Sequence, residues 1–318
     1  MSSRVVYFNG DYVPEAEARV SIFDSALMFG DMAFEMTRTF GGKPFRLRHH
    51  LERIYASLTL IEIDCQLTID EMEQATLETL ARNQETEPAD VDWQIMHDVS
   101  RGPLPLYAPA FPGGPRPTVS INCWPLISHM GGFAHYYDEG FPLVIPAQHA
   151  IPAHLVDAKC KTRSRLHYAM ANIQAKRVVP DAWAVLLDTD GNLAEGTGSN
   201  VFLVRNGELL TPEPRNILLG VSRATVLELA RDLGIPCRET NLGRYEAITA
   251  DEMFLTATTY CVCHASSIEG RRIGDGGPGP IVRQLQDAWA KRVGVDFVAQ
   301  ARDYATRLDA WLHKEAQG

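Results

Sequence analysis

Two Asn-Gly pairs constrain this chain most. V-V-Y-F-N-G-D-Y-V sets Asn9-Gly10 between two strand-like runs, and N-V-F-L-V-R-N-G-E-L-L-T-P does the same with Asn206-Gly207. A two-residue loop whose twist matches its strands needs positive φ at both positions, which Asn and Gly tolerate best. Each pair therefore predicts an antiparallel hairpin. One hairpin opens the chain and the other lies in its second half, and 318 residues is a length for about two domains.

The remaining punctuation predicts an α/β fold. S-I-F-D-S-A-L-M-F-G breaks at Gly30 and runs on as a strand to Phe40; Gly41-Gly42 then turns the chain into a short strand, P-F-R-L. From His49, the residues Leu51, Ile54, Tyr55 and Leu58 recur at helical spacing, with Arg53 on the flank of that stripe. Thr68 and Glu71 read as a capping box opening a second helix. V-D-W-Q-I-M-H-D-V-S-R-G and P-T-V-S-I-N-C-W-P-L read as strands joined by a Pro- and Gly-rich loop over 103–117. I-S-H-M-G-G-F-A-H-Y-Y-D-E-G has no period and is broken by glycine, so it reads as a linker. The expected organisation is a small N-terminal α/β domain over 1–126, a linker over 127–140 and a larger C-terminal domain over 141–318. In the latter, a helix follows Lys161, A-V-L-L-D turns into N-L-A-E, L-G-V-S-R opens a helix, D-E-M-F-L-T-A-T-T-Y is a strand, and helices start near Ile281 and Phe297.

A net charge of −10 argues against a nucleic-acid or anionic-membrane surface and favours small-molecule partners. No apolar run is long enough to span a bilayer, and the first twenty residues lack the basic and apolar regions of a signal peptide, so a cytoplasmic location is expected. The six cysteines have no framework spacing and read as small hydrophobes. Cys261-Val-Cys263 lacks a second ligand pair, so no metal is expected there. His49-His50 read as a solvent-facing helix start.

Chemistry concentrates between Lys159 and Asn200. A lysine able to form a Schiff base and a carboxylate able to hold a protonated ring nitrogen are what pyridoxal phosphate chemistry asks of a protein. Lys161 and Glu195 are the candidates, with Lys159 and Lys176 as competing lysines. A nucleotide fold is disfavoured, because G-T-G-S-N lacks the G-x-G-x-x-G fingerprint and there is no G-K-[ST] loop.

Six motifs occur in order: D-S-A-L-M-F-G-D-M-A-F-E, H-L-E-R-I-Y-A-S, K-T-R-S-R-L, D-G-N-L-A-E-G-T-G-S-N-V-F-L-V, L-L-G-V-S-R and D-E-M-F-L-T-A-T-T. Together they resemble the class IV (fold type IV) pyridoxal-phosphate aminotransferases over almost the whole chain. That fold type holds branched-chain, D-amino-acid and (R)-selective amine transaminases and aminodeoxychorismate lyase. The resemblance implies a barrel-like C-terminal sheet, pyridoxal 5'-phosphate lying between the domains, and a homodimer. It implies ping-pong transfer of an amino group to a 2-keto acid such as 2-oxoglutarate, the leading donor being a branched-chain L-amino acid.

It also implies roles. Lys161 is the Schiff-base lysine and Glu195 the partner of the ring nitrogen. Arg53, the amides of Val221 and Ser222, and Thr258 take the phosphate, and Tyr168 reaches the cofactor's phenolic oxygen. On the substrate side stand Phe34, as an apolar wall, Thr259, and Phe29 and Gln94, where branched-chain enzymes usually carry tyrosine and arginine. Arg101, Arg163 and Arg165 are each candidates to clamp a carboxylate. Arg101, in V-S-R-G, is similar to a segment of the D-amino-acid and amine transaminases. Other readings are the lyase of the same family and a catalytically silent pyridoxal-phosphate-binding protein.

Overall fold

A computed structural model describes residues 4–317; Met1–Ser3, at the head of the opening stretch, and Gly318 lie outside it. The chain divides into two compact units. One takes the chain up to Ser128, then Cys160–Arg165 and the residues from Asp309; the other takes His129–Lys159 and Leu166–Leu308.

In the first unit β1 (Val5–Phe8) and β2 (Asp11–Pro14) form the first hairpin, with Asn9 at φ 51° and Gly10 at φ 102°. There follow α1 (Ser25–Phe29), β3 (Met32–Phe40), β4 (Lys43–Pro44), α2 (Leu47–Leu60), α3 (Ile69–Gln84), β5 (Trp93–Ser100) and β6 (Thr118–Pro125). Six strands pair in the order β2-β1-β6-β5-β3-β4, every pair antiparallel. The strand expected over P-F-R-L is shorter, and α2 opens before His49, because Arg46 turns left-handed at φ 52° and ends the extended run. The capping box forms: Glu71 N donates to Thr68 Oγ1 at 3.2 Å and Thr68 N to Glu71 Oε2 at 2.7 Å. Leu51, Ile54 and Leu58 of α2 and Met72 and Leu80 of α3 pack with Trp93, Ile95 and Ile121 on one face of the sheet.

The stretch expected to be an irregular linker is helical, as α4 (Leu126–Phe133) and α5 (Tyr136–Glu139). Glycine within α4 is a packing requirement. A Cβ on Gly131 would stand 2.9 Å from the Tyr304 carbonyl oxygen, so close backbone approach overrides the poor helix propensity.

The chain continues through β7 (Phe141–Val144), α6 (Leu166–Val178), β8 (Trp183–Leu187), β9 (Leu193–Gly196), β10 (Asn200–Arg205), β11 (Glu208–Pro212), α7 (Val221–Asp232) and β12 (Cys237–Thr240). It ends through α8 (Arg244–Ile248), β13 (Glu252–Ala257), β14 (Cys261–Ile268), β15 (Arg271–Arg272), α9 (Pro280–Val293) and α10 (Phe297–Gln317).

Nine strands make one mixed sheet curled into a half-barrel, in the order β12-β11-β10-β13-β14-β7-β8-β9 with β15 on β14. The second hairpin turns at Asn206 and Gly207, φ 52° and 77°. β10 and β13 are buried along nearly their whole length, and Phe202 stacks on Phe254 at 5.0 Å, as expected of strands covered on both faces. Cys65, Cys123, Cys160, Cys261 and Cys263 are buried free thiols, and Cys237 is exposed. Among the described residues no helix is long and apolar enough to cross a membrane.

Candidate active site

Lys161 does not lie on a helix. It belongs to an extended segment that runs beside β3 and ends before α6 begins at Leu166. Phe34 N donates to Lys161 O at 3.0 Å, Arg163 N to Met32 O at 3.0 Å, and Lys161 N to Ser57 Oγ at 3.1 Å. The Ser164 hydroxyl lies 3.1 Å from both the Phe29 and Gly30 carbonyls. Gly30 ends α1 at φ 68°, and a Cβ there would stand 2.8 Å from Ser164 Oγ, so the motif glycine is required by conformation and by space. The lysine backbone is thus clamped while its Nζ lies 4.6 Å from the centre of the Phe34 ring. Lys159, the competing amine, is engaged by Asp157 at 3.7 Å and by the Arg215 carbonyl at 3.4 Å.

Arg53 turns from α2 toward the fully buried Glu35 of β3. Its Nε lies 3.0 Å from Glu35 Oε1, and its Nη2 lies 2.7 and 2.8 Å from Oε1 and Oε2. His50, expected in solvent, is buried and bonds Glu35 Oε2 through Nδ1. Burial alone would raise the Glu35 carboxyl, but the Arg53 guanidinium and His50 outweigh it and hold it down at about 2. Neither Glu35 nor His50 was singled out from sequence. The available signal was parity: Glu35 shares the helix-facing side of β3 with Ala33 and Thr37, and a charge there needs buried partners. His50 and Arg53 follow at the i, i+3 spacing that puts both on one side of α2.

His97 lies on the same buried side of β5, opposite Glu35, with Nε2 2.8 Å from Thr76 Oγ1. Burial pushes its imidazole down from 6.5 to about 4. The unfolded chain takes up this proton near pH 6.5 and the folded chain only near 4, so stability is complete above 6.5 and falls as pH drops through that window. The loss over the window is about 3 kcal/mol, at about 1.4 kcal/mol per pH unit. Urea midpoints at pH 7.5 and 4.5 should differ less in His97→Gln than in the wild type; an equal difference would refute a neutral buried His97.

The second unit brings a buried carboxylate close to the start of α7. Glu195 on β9 is buried; its Oε1 accepts from Tyr168 OH of α6 at 2.7 Å, and its Oε2 from Leu218 N at 2.9 Å and Asn200 Nδ2 at 3.3 Å. Each of these three donors is uncharged. Asn200, missed in the sequence, also bonds the Leu218 carbonyl at 2.9 Å. A Cβ on Gly220 would stand 2.0 Å from Asn200 Oδ1. Gly220 is the N-cap of α7, whose first turn carries Val221 and Ser222 and has no side-chain cap, so those amides point outward from the positive end of the helix. Thr258 and Thr259 follow β13 in a tight turn, Thr258 half-buried and Thr259 buried.

The substrate-side candidates separate. Phe34 is buried on β3, Gln94 is half-buried on β5, and Phe29 at the end of α1 is 66% exposed. Arg101 is engaged by Asp31 at 2.7 Å and by the carbonyls of Ile61 and Glu62 at 2.7 and 2.8 Å, which makes it a cap for the end of α2. Arg163 and Arg165 instead lie 3.8 and 5.3 Å from the Phe34 ring centre, and Arg163 pairs with Asp98 at 3.0 Å. Burial raises the Asp98 carboxyl despite the opposing pull of Arg163.

The first unit thus presents a clamped lysine on an aromatic ring and an arginine braced by a buried carboxylate, and the second a buried carboxylate near a helix start with no side-chain cap; a phosphorylated pyridine aldehyde asks a protein for groups of these kinds. The model of the amino-transferase class IV family matches residues 32–268. A Methanocaldococcus jannaschii protein, named provisionally as a branched-chain-amino-acid aminotransferase, is 34% identical over 89% of this chain and 94% of its own. The branched-chain-amino-acid aminotransferase of Escherichia coli K12 is 27% identical over 89% of this chain and 91% of its own.

A crystal structure of the Escherichia coli enzyme superposes with a TM-score of 0.80 at 25% identity, covering 91% of this chain and 94% of that one. The T.th. branched-chain amino acid aminotransferase, solved with N-(5'-phosphopyridoxyl)-L-glutamate, gives 0.80 at 27% identity over 92% and 95%. The same protein has been solved with 4-methylvaleric acid, with a TM-score of 0.79 at 27% identity over 92% and 95%. The chain is a class IV amino-transferase, and within that class it belongs to the branched-chain aminotransferase family.

Proposed function

We propose that this chain moves the amino group of a branched-chain L-amino acid to a dicarboxylic 2-keto acid such as 2-oxoglutarate, using pyridoxal 5'-phosphate in a ping-pong cycle. The observation that carries the reading is Lys161, a primary amine on a clamped backbone. Cytoplasmic location and a homodimer with one subunit's loops closing its partner's site are parts of the same proposal.

Pyridoxal phosphate, when bound, supplies the electron sink for the carbanion left when the α-proton departs. Lys161 would hold the cofactor covalently through Nζ, and the same amine would serve as the acid and base that moves the α-proton. Glu195 would hold the proton of the cofactor's ring nitrogen, and Tyr168, Leu218 and Asn200 fix the carboxylate's direction. The amides of Val221 and Ser222, the Thr258 hydroxyl and the Arg53 guanidinium bind the phosphate. Phe34 walls the reacting amine, and Thr259 serves the substrate side.

Arg53→Ala should weaken cofactor affinity by about 1.5–3 kcal/mol, the range for hydrogen bonds to charged groups. It should also lower stability by about 3 kcal/mol or more, because Glu35 is left buried without its cation. Equilibrium dialysis and urea unfolding separate the two effects; unchanged affinity would reduce Arg53 to a counter-ion of Glu35.

The function is tested by the half-reaction. The purified holoenzyme is mixed separately with L-leucine, D-alanine and (R)-1-phenylethylamine while the visible band of the cofactor is followed. L-Leucine should bleach the band and a 2-keto acid restore it. Bleaching by D-alanine or the amine alone would move the enzyme to the D-amino-acid or amine transaminases, and no bleaching by any donor would point to the chorismate-derived lyase substrate.

A further inference from the structure

The sheet of the first unit has two unlike faces. Ala33, Glu35, Ile95, His97, Val119 and Ile121 are buried on the side of α2 and α3. The opposite side carries Phe34, Met36, Gln94, Met96 and Asp98, all but Phe34 only half-buried. The register sets Phe34 opposite Asp98 and Met36 opposite Met96.

Lys161 and Arg163 add to the edge of β3 and, two residues apart in an extended segment, lie on this open side, both over the Phe34 ring. Arg163 Nε and Nη2 lie 3.1 and 3.0 Å from one oxygen of Asp98, Oδ1, and Nη2 lies 3.2 Å from Met96 Sδ. Among the described residues no hydrogen-bond partner appears for Nη1, and the side chain is 36% exposed. Asp98 thus takes the Nε–Nη2 edge through one oxygen, and on the Nη1–Nη2 edge Nη2 meets only the thioether of Met96, a weak acceptor that a carboxylate can displace.

If the chain transfers amino groups as proposed above, one site must accept both an aliphatic side chain and a second carboxylate. Phe34, Met36 and Met96 suit the first and offer nothing to the second. Arg101 is tied to the end of α2, and Gln94 is uncharged. We propose that Arg163, held on Phe34 by Asp98, is the anchor for the distal carboxylate of dicarboxylic substrates. Asp98 serves as its counter-ion when an aliphatic substrate is bound. An aliphatic chain then meets a neutral pair, while a dicarboxylate meets a cation already oriented by stacking.

The test is ligand binding to the holoenzyme, followed by titrating the cofactor's visible spectrum with glutarate and with 4-methylvaleric acid. Arg163→Gln should weaken glutarate by roughly ten- to hundredfold, the span of a charged hydrogen bond. It should shift 4-methylvaleric acid by no more than about twofold, within the range of a lost neutral contact. Asp98→Asn, which removes the competing carboxylate, should tighten glutarate, an effect no folding defect produces. Equal weakening of both acids by Arg163→Gln, or glutarate binding indifferent to it, would overturn the assignment while leaving amino transfer intact. A wild-type enzyme that binds neither acid would overturn the functional reading itself.

Discussion

Lys161→Ala should yield a folded protein that carries no cofactor after borohydride reduction, with amino transfer reduced by at least the roughly 10²–10⁴-fold due to a lost general base. The fold should survive because the bonds that place Lys161 come from its backbone: Lys161 N on Ser57 Oγ, Lys161 O on Phe34 N, and Arg163 N on Met32 O. The substitution removes the Nζ contact with Phe34 and a positive charge that helps hold down the Glu35 carboxyl. Mass spectrometry of the reduced protein reads the result directly. A cofactor mass retained on the variant would move the covalent role to Lys159, which would first have to leave Asp157 and the Arg215 carbonyl. The loss should appear even with cofactor in excess, since the role proposed for the Lys161 amine includes moving the α-proton as well as holding the cofactor.

What the sequence made legible, and what it hid, divides along the range of the forces involved. Asn9-Gly10, Asn206-Gly207 and the Thr68–Glu71 box are local: each contains the donors, acceptors or φ values it needs, and each formed as expected. Gly131 is the opposite case, since its reason lies in the Tyr304 backbone, far along the chain, and local propensity pointed to a linker. Lys161 fell between these extents. The motif singled it out as the candidate over Lys159 and Lys176, but its extended conformation comes from pairing with β3, which the adjoining helical pattern concealed.

The buried partners were hidden for a related reason. Arg53 and Glu195 are motif residues, yet Arg53 is oriented by Glu35, itself bonded to His50, and Glu195 by Asn200; in sequence His50 reads as a solvent-facing helix residue, and Glu35 and Asn200 fall within strand runs. Among the three candidate arginines only three-dimensional contacts could separate Arg101, fixed at a helix end, from Arg163, stacked on the open face of the sheet.

Glu195→Gln should leave cofactor loading nearly intact and lower the rate of α-proton removal by roughly 10²–10³-fold, the scale on which a preorganised electrostatic partner acts. The amide can occupy the same place. Its oxygen can accept from Leu218 N and Asn200 Nδ2, and its NH₂ can face Tyr168, whose hydroxyl can turn to accept instead of donate. The site therefore keeps its shape and loses only the negative charge proposed to hold the ring-nitrogen proton, without which the cofactor would be a weaker electron sink. The residues proposed for the phosphate are untouched, which is why the defect should fall on single-turnover bleaching by L-leucine and not on cofactor affinity. Tyr168→Phe, which removes one donor and keeps the charge, should show a smaller loss of the same kind. Near-normal bleaching by Glu195→Gln would show that the ring nitrogen is protonated by another group, and the network of Tyr168, Asn200 and Leu218 would then be a structural brace.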